Sequence, residues 1–154
     1  VSMALVQEKL YKSGDLSSIS LPEYIKELCG RIEESYKDIS KDIELKIDIE
    51  PMMIETDTAV SIGLIINEIL SNSYKYAFTK RPNGEISICY KTIKSEYKEL
   101  RIIDNGVGIS DDLDSRKTLT LGLQLIEMTV RDHLKGTMEI KKENGTGYYI
   151  RFKQ

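Results

Sequence analysis

The sequence is poor in the residues that build several common kinds of site. It has two cysteines, Cys29 and Cys89, which lie far apart without the spacing of a metal or redox motif. With few cysteines and no signal peptide, we expect the reducing cytoplasm as its compartment. No apolar run is long enough to span a bilayer, so we expect no membrane contact from this part of the protein.

Charge of one sign is also missing. The net charge of −3 arises from interspersed acidic and basic residues, with no basic block. Nucleic-acid-binding faces usually need clustered Lys and Arg, so nucleic acid is disfavoured as a partner. The 154 residues fit one domain with a real core. Because the chain opens in the middle of a helical pattern, VSMALVQEKLYKS, we expect it to be part of a longer protein.

Local patterns predict four helices and five strands. The predicted helices are a short one over 1–12, one from Leu21 to about Tyr36 with Ser20 and Glu23 as a capping box, one from Asp57 or Thr58 to about Phe78, and one over about 121–135 with Gly136 as its C′ residue. The predicted strands are 43–50, EISICYKTI after the PNG turn at 82–84, YKELRIID, TMEIKKE and GYYIRF, the last two around a turn at Asn144 and Gly145. The polar stretch 110–120 is predicted to be a mobile loop.

This order of elements predicts an α+β fold. A mixed, mostly antiparallel sheet with helices on one face, in a two-layer sandwich, accommodates it best. A dinucleotide-binding fold is disfavoured, because regular strand–helix alternation and a GxGxxG helix start are both missing.

The stretch RIIDNGVGIS, residues 101–110, has two interpretations. A strand-like run ends at Asp104, and two glycines follow in alternation. Asp-Asn-Gly is a common hairpin turn, but the same residues can form one wall of a nucleotide pocket. The choice depends on whether the rest of the chain supplies partners for Asp104.

The long helix DTAVSIGLIINEILSNSYKYAF carries a patterned polar set. An apolar face predicted to enter the core contains Ile62, Ile65, Ile66, Ile69, Ser73 and Ala77. Glu68, Asn72 and Lys75 cluster within an arc of about 60° beside it, with Tyr76 between the cluster and the apolar face. Asn67 points roughly 100° or more away, so we expect it outside any shared site.

The polar cluster can be a solvated face with an ordinary Glu68–Asn72 pair, or a ligand site. Oxygen ligands suit Mg²⁺, lysine suits phosphate and an aromatic rim suits a purine. These are the needs of a Mg–nucleotide.

Several motifs together resemble a known family. ExxxN with a following Lys-Tyr, then DNGVG and LGL, then GTG, is similar to the Bergerat-type ATP-binding fold of gyrase, heat-shock chaperones, mismatch-repair clamps and histidine kinases. The similarity covers about residues 40–154. NEILSNSYKYAF and SMALVQEKLYKSGDL resemble sensor histidine kinases of the second class, close to the HWE group. Residues 1–20 would then be the tail of the dimerisation and phosphoacceptor helices, and 21–154 the catalytic domain.

The resemblance implies roles for individual residues and the cofactors ATP and Mg²⁺. Asn72 would bind Mg²⁺, Lys75 the phosphates, and Tyr76 would pack on the nucleotide. Asp104 would accept a hydrogen bond from the adenine amino group, with Thr146 in its network. The remaining implied contacts are Gly106 and Gly108 beside the base, and Gly122 and Leu123 of the LGL motif, with Gly122 starting a helix whose N–H groups meet phosphate.

The sequence also departs from the family pattern. Thr120 stands where many kinases have a glycine before LGL, and the short lid has no phenylalanine. Glu68 occupies the place of the water-activating base of gyrase-like ATPases, whereas many histidine kinases have asparagine there. A catalytic role for Glu68, beside Asn72 and Lys75, therefore stays open.

The single histidine, His133, is an obvious candidate phosphoacceptor. The helical wheel places it beside Ile126 and Val130 at the edge of an apolar stripe, near a helix C-terminus where a cation is favoured. The family's acceptor lies upstream of the catalytic domain. We therefore interpret His133 as structural and expect the acceptor to precede Val1.

The predicted function is the catalytic domain of a two-component sensor histidine kinase, transferring the γ-phosphoryl group of Mg–ATP to an upstream histidine. The implied partners are a response-regulator receiver domain and a second copy, in a homodimer held by the upstream helices. The alternatives are a clamp- or chaperone-type ATPase, an anti-sigma-type serine kinase, or a binding module without catalysis.

Overall fold

The structure is a computed structural model that describes residues 18–40, 42–79, 83–107, 113–142 and 144–154, with only the backbone for 113–119. The helix predicted over 1–12, Pro82 of the predicted turn, Gly108 and residues 110–112 lie outside the described residues. The described elements are β1 (Ser18–Ser20), α1 (Leu21–Ser35), α2 (Lys37–Ser40), β2 (Ile43–Ile49), β3 (Met53–Glu55), α3 (Thr56–Asn72), β4 (Gly84–Lys94), β5 (Tyr97–Asp104), α4 (Leu113–Met128), β6 (Thr137–Lys141) and β7 (Thr146–Lys153). Short π-helical segments, Ser73–Ala77 and Thr129–His133, extend α3 and α4.

The main sheet has the strand order β2-β4-β5-β7-β6. β2 pairs with β4 in parallel, whereas the other three pairings are antiparallel. The mixed, mostly antiparallel sheet and the β4–β5 hairpin predicted from the sequence are therefore confirmed.

One face of the sheet is apolar and buried. Ile88, Ile102 and Tyr148 lie side by side on β4, β5 and β7, and all three are buried. They join one core cluster with Ile62, Ile66 and Ile69 of α3 and with apolar residues of α1 and α4. The apolar face that alternation gives to the strands packs against the apolar stripe of α3, and this packing of sheet on helices forms the two-layer sandwich.

A second, two-stranded sheet was not predicted. β1 pairs antiparallel with β3, so that Ile19 lies opposite Ile54, and both are buried. The pairing also alters the start of α1. Ser20 is the N-cap residue but makes no side-chain cap hydrogen bond. The half of the predicted capping box that Ser20 would supply is therefore wrong. The N–H of Leu21, the first residue of the helix, donates to the carbonyl of Met52 at 3.0 Å.

α4 begins earlier than predicted. The mobile loop expected over 110–120 is wrong for 113–120, because the helix starts at Leu113. Leu, Arg and Lys are good helix formers, and adding a turn to an existing helix does not repeat the cost of nucleation.

The end of this helical region also differs from the prediction. The residue with a left-handed backbone is Lys135, at φ 54°, and not Gly136. Gly136 is needed for a different reason. A Cβ there would overlap the carbonyl oxygen of Arg151 and lie 2.8 Å from the Cβ of Phe152. The glycine is therefore needed for close packing against β7.

Candidate functional site

The first part of the candidate site surrounds the Asp104 carboxylate. Asp104 ends β5 opposite Thr146, the first residue of β7, and only 5% of it is exposed. Oδ1 accepts hydrogen bonds from the N–H of Gly106 at 2.9 Å and from the N–H of Thr146 at 3.3 Å. Oδ2 accepts one from the hydroxyl of Ser73 at 3.4 Å. The contact between Thr146 and Asp104 is thus confirmed, and Ser73 is an additional partner.

Burial raises the pKa of the Asp104 carboxyl, and the hydrogen bonds from Gly106, Thr146 and Ser73 offset this only in part. A carboxylate held in such a place favours a ligand that brings another N–H donor. The exocyclic amino group of a nucleobase is a donor of that kind.

Two glycines let the chain close around Asp104. A Cβ on Gly106 would overlap the carbonyl oxygen of Ala77 and lie 2.6 Å from its Cβ. The next N–H, of Val107, donates to that same carbonyl at 2.7 Å. Gly145 has φ +124°, and a Cβ there would lie 2.8 Å from the Cα of Asn105. Gly106 is therefore required by packing against the end of the α3 extension; contact with a base stays a prediction.

The second part of the site is a cavity of about 640 Å³ between three helices. From α3 and its π-helical extension it is lined by Asn67, Glu68, Ser71, Asn72 and Lys75. From α4 it is lined by Leu121, Gly122 and Leu125, and from α1 and the residue that follows it by Arg31, Ile32, Ser35 and Tyr36. The predicted cluster of Glu68, Asn72 and Lys75 does therefore face one space.

Asn72 is the buried polar group of this cavity. It is only 7% exposed, and its buried Nδ2 has no hydrogen-bond partner among the residues that the structure describes. A Cβ on Gly122 would lie 3.0 Å from Oε2 of Glu68 and 3.3 Å from Nδ2 of Asn72. Gly122 thus keeps the space over both polar groups open. An unpaired buried amide costs free energy that a bound ligand can recover.

These groups fit a Mg–phosphate ligand. Glu68 and Asn72 offer carboxylate and amide oxygens, the ligands that Mg²⁺ prefers, and Lys75 adds an exposed cation. Among the described residues no group of three or more His, Cys, Asp or Glu side chains could hold a metal.

Several predicted residues lie elsewhere. Tyr76 does not line the cavity, and Leu123 packs against the core. Gly122 lies nine residues after the first residue of α4, so its N–H is inside the helix and not at a free first turn. The expectation of phosphate binding by a helix start at Gly122 is wrong, because the helix extends further back.

The prediction that Asn67 lies outside the site is wrong. It lines the same cavity as Asn72, although the helical wheel predicted its exclusion. The cavity lies between α3 and both α1 and α4, so it takes in a wider arc of α3 than a single 60° stripe.

The wall formed by α1 was missed altogether. Tyr36 lines the cavity and stacks on Tyr74 at 5.7 Å between ring centroids. Arg31 and Ser35 lie four residues apart on α1, which is the only signal in the sequence that both share a face. Nothing in the local pattern shows that this face meets α3.

His133 is exposed and does not line this cavity. It belongs to the π-helical segment after α4 and lines a separate cavity with Asp57, Thr58 and Asp132. Val130, three residues before His133, and Ile126 are buried as the predicted apolar stripe requires, whereas His133 itself is exposed. Leu125 lines both cavities, but Glu68, Asn72 and Lys75 do not line the cavity of His133.

Comparison with known proteins agrees with this geometry. Residues 57–154 match the family model described as histidine kinase-, DNA gyrase B- and HSP90-like ATPase, and residues 1–36 match a model described as histidine kinase. The chain is 26% identical over 104 residues to blue-light-activated histidine kinase 2 of Erythrobacter litoralis, covering 66% of this chain and 30% of that protein. It is 24% identical over 153 residues to the sensor histidine kinase PdtaS of Mycobacterium tuberculosis, covering 97% of this chain and again 30% of the relative.

Solved structures share the fold. The histidine kinase domain of the EL346 blue-light-activated kinase of Erythrobacter litoralis superimposes with a TM-score of 0.82 at 21% identity, covering 97% of this chain and 70% of that one. The catalytic domain of the histidine kinase ThkA gives 0.68 at 18% identity, covering 89% of this chain and 95% of that domain. No helix among the described residues is both long and apolar enough to cross a membrane.

Proposed function

We propose, from the premise that the chain belongs to the family of histidine kinase-, DNA gyrase B- and HSP90-like ATPases, that it binds Mg–ATP and donates the γ-phosphoryl group to a histidine. The resemblance found in the sequence is confirmed, and the fold is the Bergerat-type fold of histidine kinase catalytic domains. The chain spans less than a third of the curated relatives, so the activity and partners of the whole protein are part of this proposal.

One observation carries the proposal. Asn72 and Ser73 are consecutive, yet Asn72 lines the three-helix cavity and Ser73 donates to Asp104. A single peptide unit therefore joins a polar cavity suited to phosphates to a buried carboxylate suited to an amino group. Adenosine triphosphate has both kinds of group in one molecule.

Each residue then has a defined task. Asp104 would accept the adenine amino group, which favours adenine over guanine because guanine has a carbonyl oxygen there. Asn72 would hold the metal, with Glu68 beside it, and Lys75 would bind phosphate. Mg²⁺ neutralises phosphate charge when it is bound with the nucleotide. The protein contributes mainly position and charge.

The acceptor, in this proposal, is a histidine outside these 154 residues. His133 is the only histidine and lines a different cavity from Asn72 and Lys75. Dimerisation through upstream helices, a receiver domain as the next phosphoryl acceptor and a cytoplasmic location belong to the same proposal.

Calorimetric titration of the chain with ATP, with and without Mg²⁺, tests the binding step. Asn72→Ala should abolish Mg-dependent binding. Gln124→Ala is a matched control, since Gln124 is an exposed amide on α4 that does not line the cavity. Asn67→Ala is unsuitable as a control because Asn67 lines the cavity. Unchanged Mg-dependent binding in Asn72→Ala would remove the metal role.

An ATP-hydrolysing clamp or chaperone is the second candidate, and Glu68 favours it. Its carboxylate lies beside Asn72 and Gly122 in the phosphate cavity, where it could activate water. Steady ADP formation that is lost in Glu68→Gln, without labelled protein, would support this candidate over the kinase.

A further inference from the structure

A second cation lines the phosphate cavity from a helix that none of the sequence motifs covers. Arg31 lies on α1, whereas Lys75 lies on the extension of α3, and both are exposed residues of the same cavity lining. Among the lining residues that the structure describes, Glu68 is the one acidic side chain. The described cavity therefore presents two cations and one anion to a ligand.

The position of Arg31 is held by its neighbours. The next residue, Ile32, is buried in the core. The hydroxyl of Ser35 donates to the carbonyl of Arg31 at 3.1 Å. Core packing of Ile32 and this hydrogen bond therefore both hold the backbone of this turn of α1. Arg31 also makes another interaction within the protein. A guanidinium has five N–H donors, so it can keep a partner in the protein and also contact a ligand.

Arginine at this place suits a polyphosphate. Its planar fork can donate two parallel hydrogen bonds to phosphate oxygens, whereas lysine acts as a point charge on a flexible stem. A triphosphate stays anionic when Mg²⁺ is bound, and Glu68 cancels part of the positive charge of the cavity. A single lysine would therefore leave the ligand's charge incompletely balanced.

We propose that Arg31 binds the polyphosphate of the nucleotide and makes affinity depend on the number of phosphates. This inference rests on the proposed ATP site and adds α1 to it. Residues 1–36 match the model described as histidine kinase, so α1 lies within that match and at the same time forms a wall of the cavity. One helix would thus connect the segment before the catalytic domain to the ligand's phosphates.

The test compares ATP, ADP and adenosine by calorimetry, with Mg²⁺ present, in the wild-type chain, Arg31→Gln, Arg31→Lys and Lys26→Gln. Lys26 is an exposed cation of α1 outside the cavity lining, and its variant should match the wild type. We expect Arg31→Gln to lose about five- to tenfold in ATP affinity, less for ADP and nothing for adenosine, with partial recovery in Arg31→Lys. Thermal melting of each variant shows that the fold is kept.

The outcomes separate two failures. If the wild-type chain binds no adenine nucleotide, the proposed function is wrong, and the role of Arg31 with it. If the wild type binds ATP but Arg31→Gln binds it equally well, only the role of Arg31 is wrong. An equal loss for ATP and adenosine, or a loss of the same size in Lys26→Gln, also overturns it.

Discussion

Two glycines with opposite surroundings allow a quantitative test of how the Asp104 region is packed. A Cβ at Gly106 would overlap the carbonyl oxygen of Ala77 and lie 2.7 Å from its carbonyl carbon. Neither atom can move away easily, because Ala77 is buried backbone at the end of the α3 extension. At Gly30, an exposed residue inside α1, a Cβ would have no other heavy atom within 4 Å.

The expected free energies of unfolding therefore change in opposite directions. Gly106→Ala should destabilise by about 1–3 kcal/mol through overpacking, as an added methyl in a close-packed region does. Losing the hydrogen bond from Val107 to Ala77 would add about 0.5–1.5 kcal/mol. Gly30→Ala should stabilise by about 0.5–1 kcal/mol, because alanine loses less backbone entropy in a helix. For a chain of this size, 1 kcal/mol corresponds to about 2–4 °C in Tm.

Urea denaturation and thermal melting of both variants measure these differences, and calorimetry measures ATP affinity. Gly106→Ala should also bind ATP more weakly, because the N–H of Gly106 donates to the Asp104 carboxylate. Gly30→Ala should bind as the wild type does. A Gly106→Ala chain as stable as the wild type would show that the contact with Ala77 is not close-packed, and the reasoning would fail.

Three further predictions concern charge and phosphoryl transfer. Asp104→Asn should lose ATP binding in calorimetry. It should nevertheless unfold at a higher urea concentration at neutral pH, because burial raises the pKa of Asp104 and the ionised carboxylate therefore lowers the stability of the folded state as pH rises. A lower stability of Asp104→Asn would contradict this. Burial raises the pKa of Glu99, but hydrogen bonds from Arg151 and Arg101 outweigh it and leave the pKa below its usual value. The stability from Glu99 is thus present above its ordinary pKa and lost as pH falls, and Glu99→Gln should flatten the acid side of a stability–pH curve. With γ-labelled ATP, the chain should form no acid-labile label on His133; such a label would refute the proposed acceptor.

Local patterns in the sequence were enough for the large elements of this fold. The alternation in β2, β4, β5 and β7 and the apolar stripe of α3 depend on neighbours in sequence, and all were predicted near their observed bounds. The β1–β3 pair was not, because each strand has three residues and its partner is more than thirty residues away. Such short strands form only where tertiary packing, here of Ile19 against Ile54, holds them.

The candidate site shows the same division between local and tertiary information. Glu68, Asn72 and Lys75 share a helical face, so their convergence on one cavity was predictable. Asn67 and Arg31 join that cavity only because α1 and α4 pack beside α3, which a single helical wheel cannot represent. The roles of these residues toward nucleotide stay predictions until binding is measured.

The junction between Asn72 and Ser73 has a consequence for how the two parts of the site respond to change. The α-helix ends at Asn72, and Ser73 begins the π-helical segment, in which one extra residue per turn alters the direction of successive side chains. This change of helix type coincides with the point where one side chain faces the phosphate cavity and the next faces Asp104. Because both side chains depend on the same backbone, displacing Ser73 should also displace Asn72. Substitutions on the two sides of the junction should therefore combine non-additively, whereas either should add independently to a distant change such as Glu99→Gln.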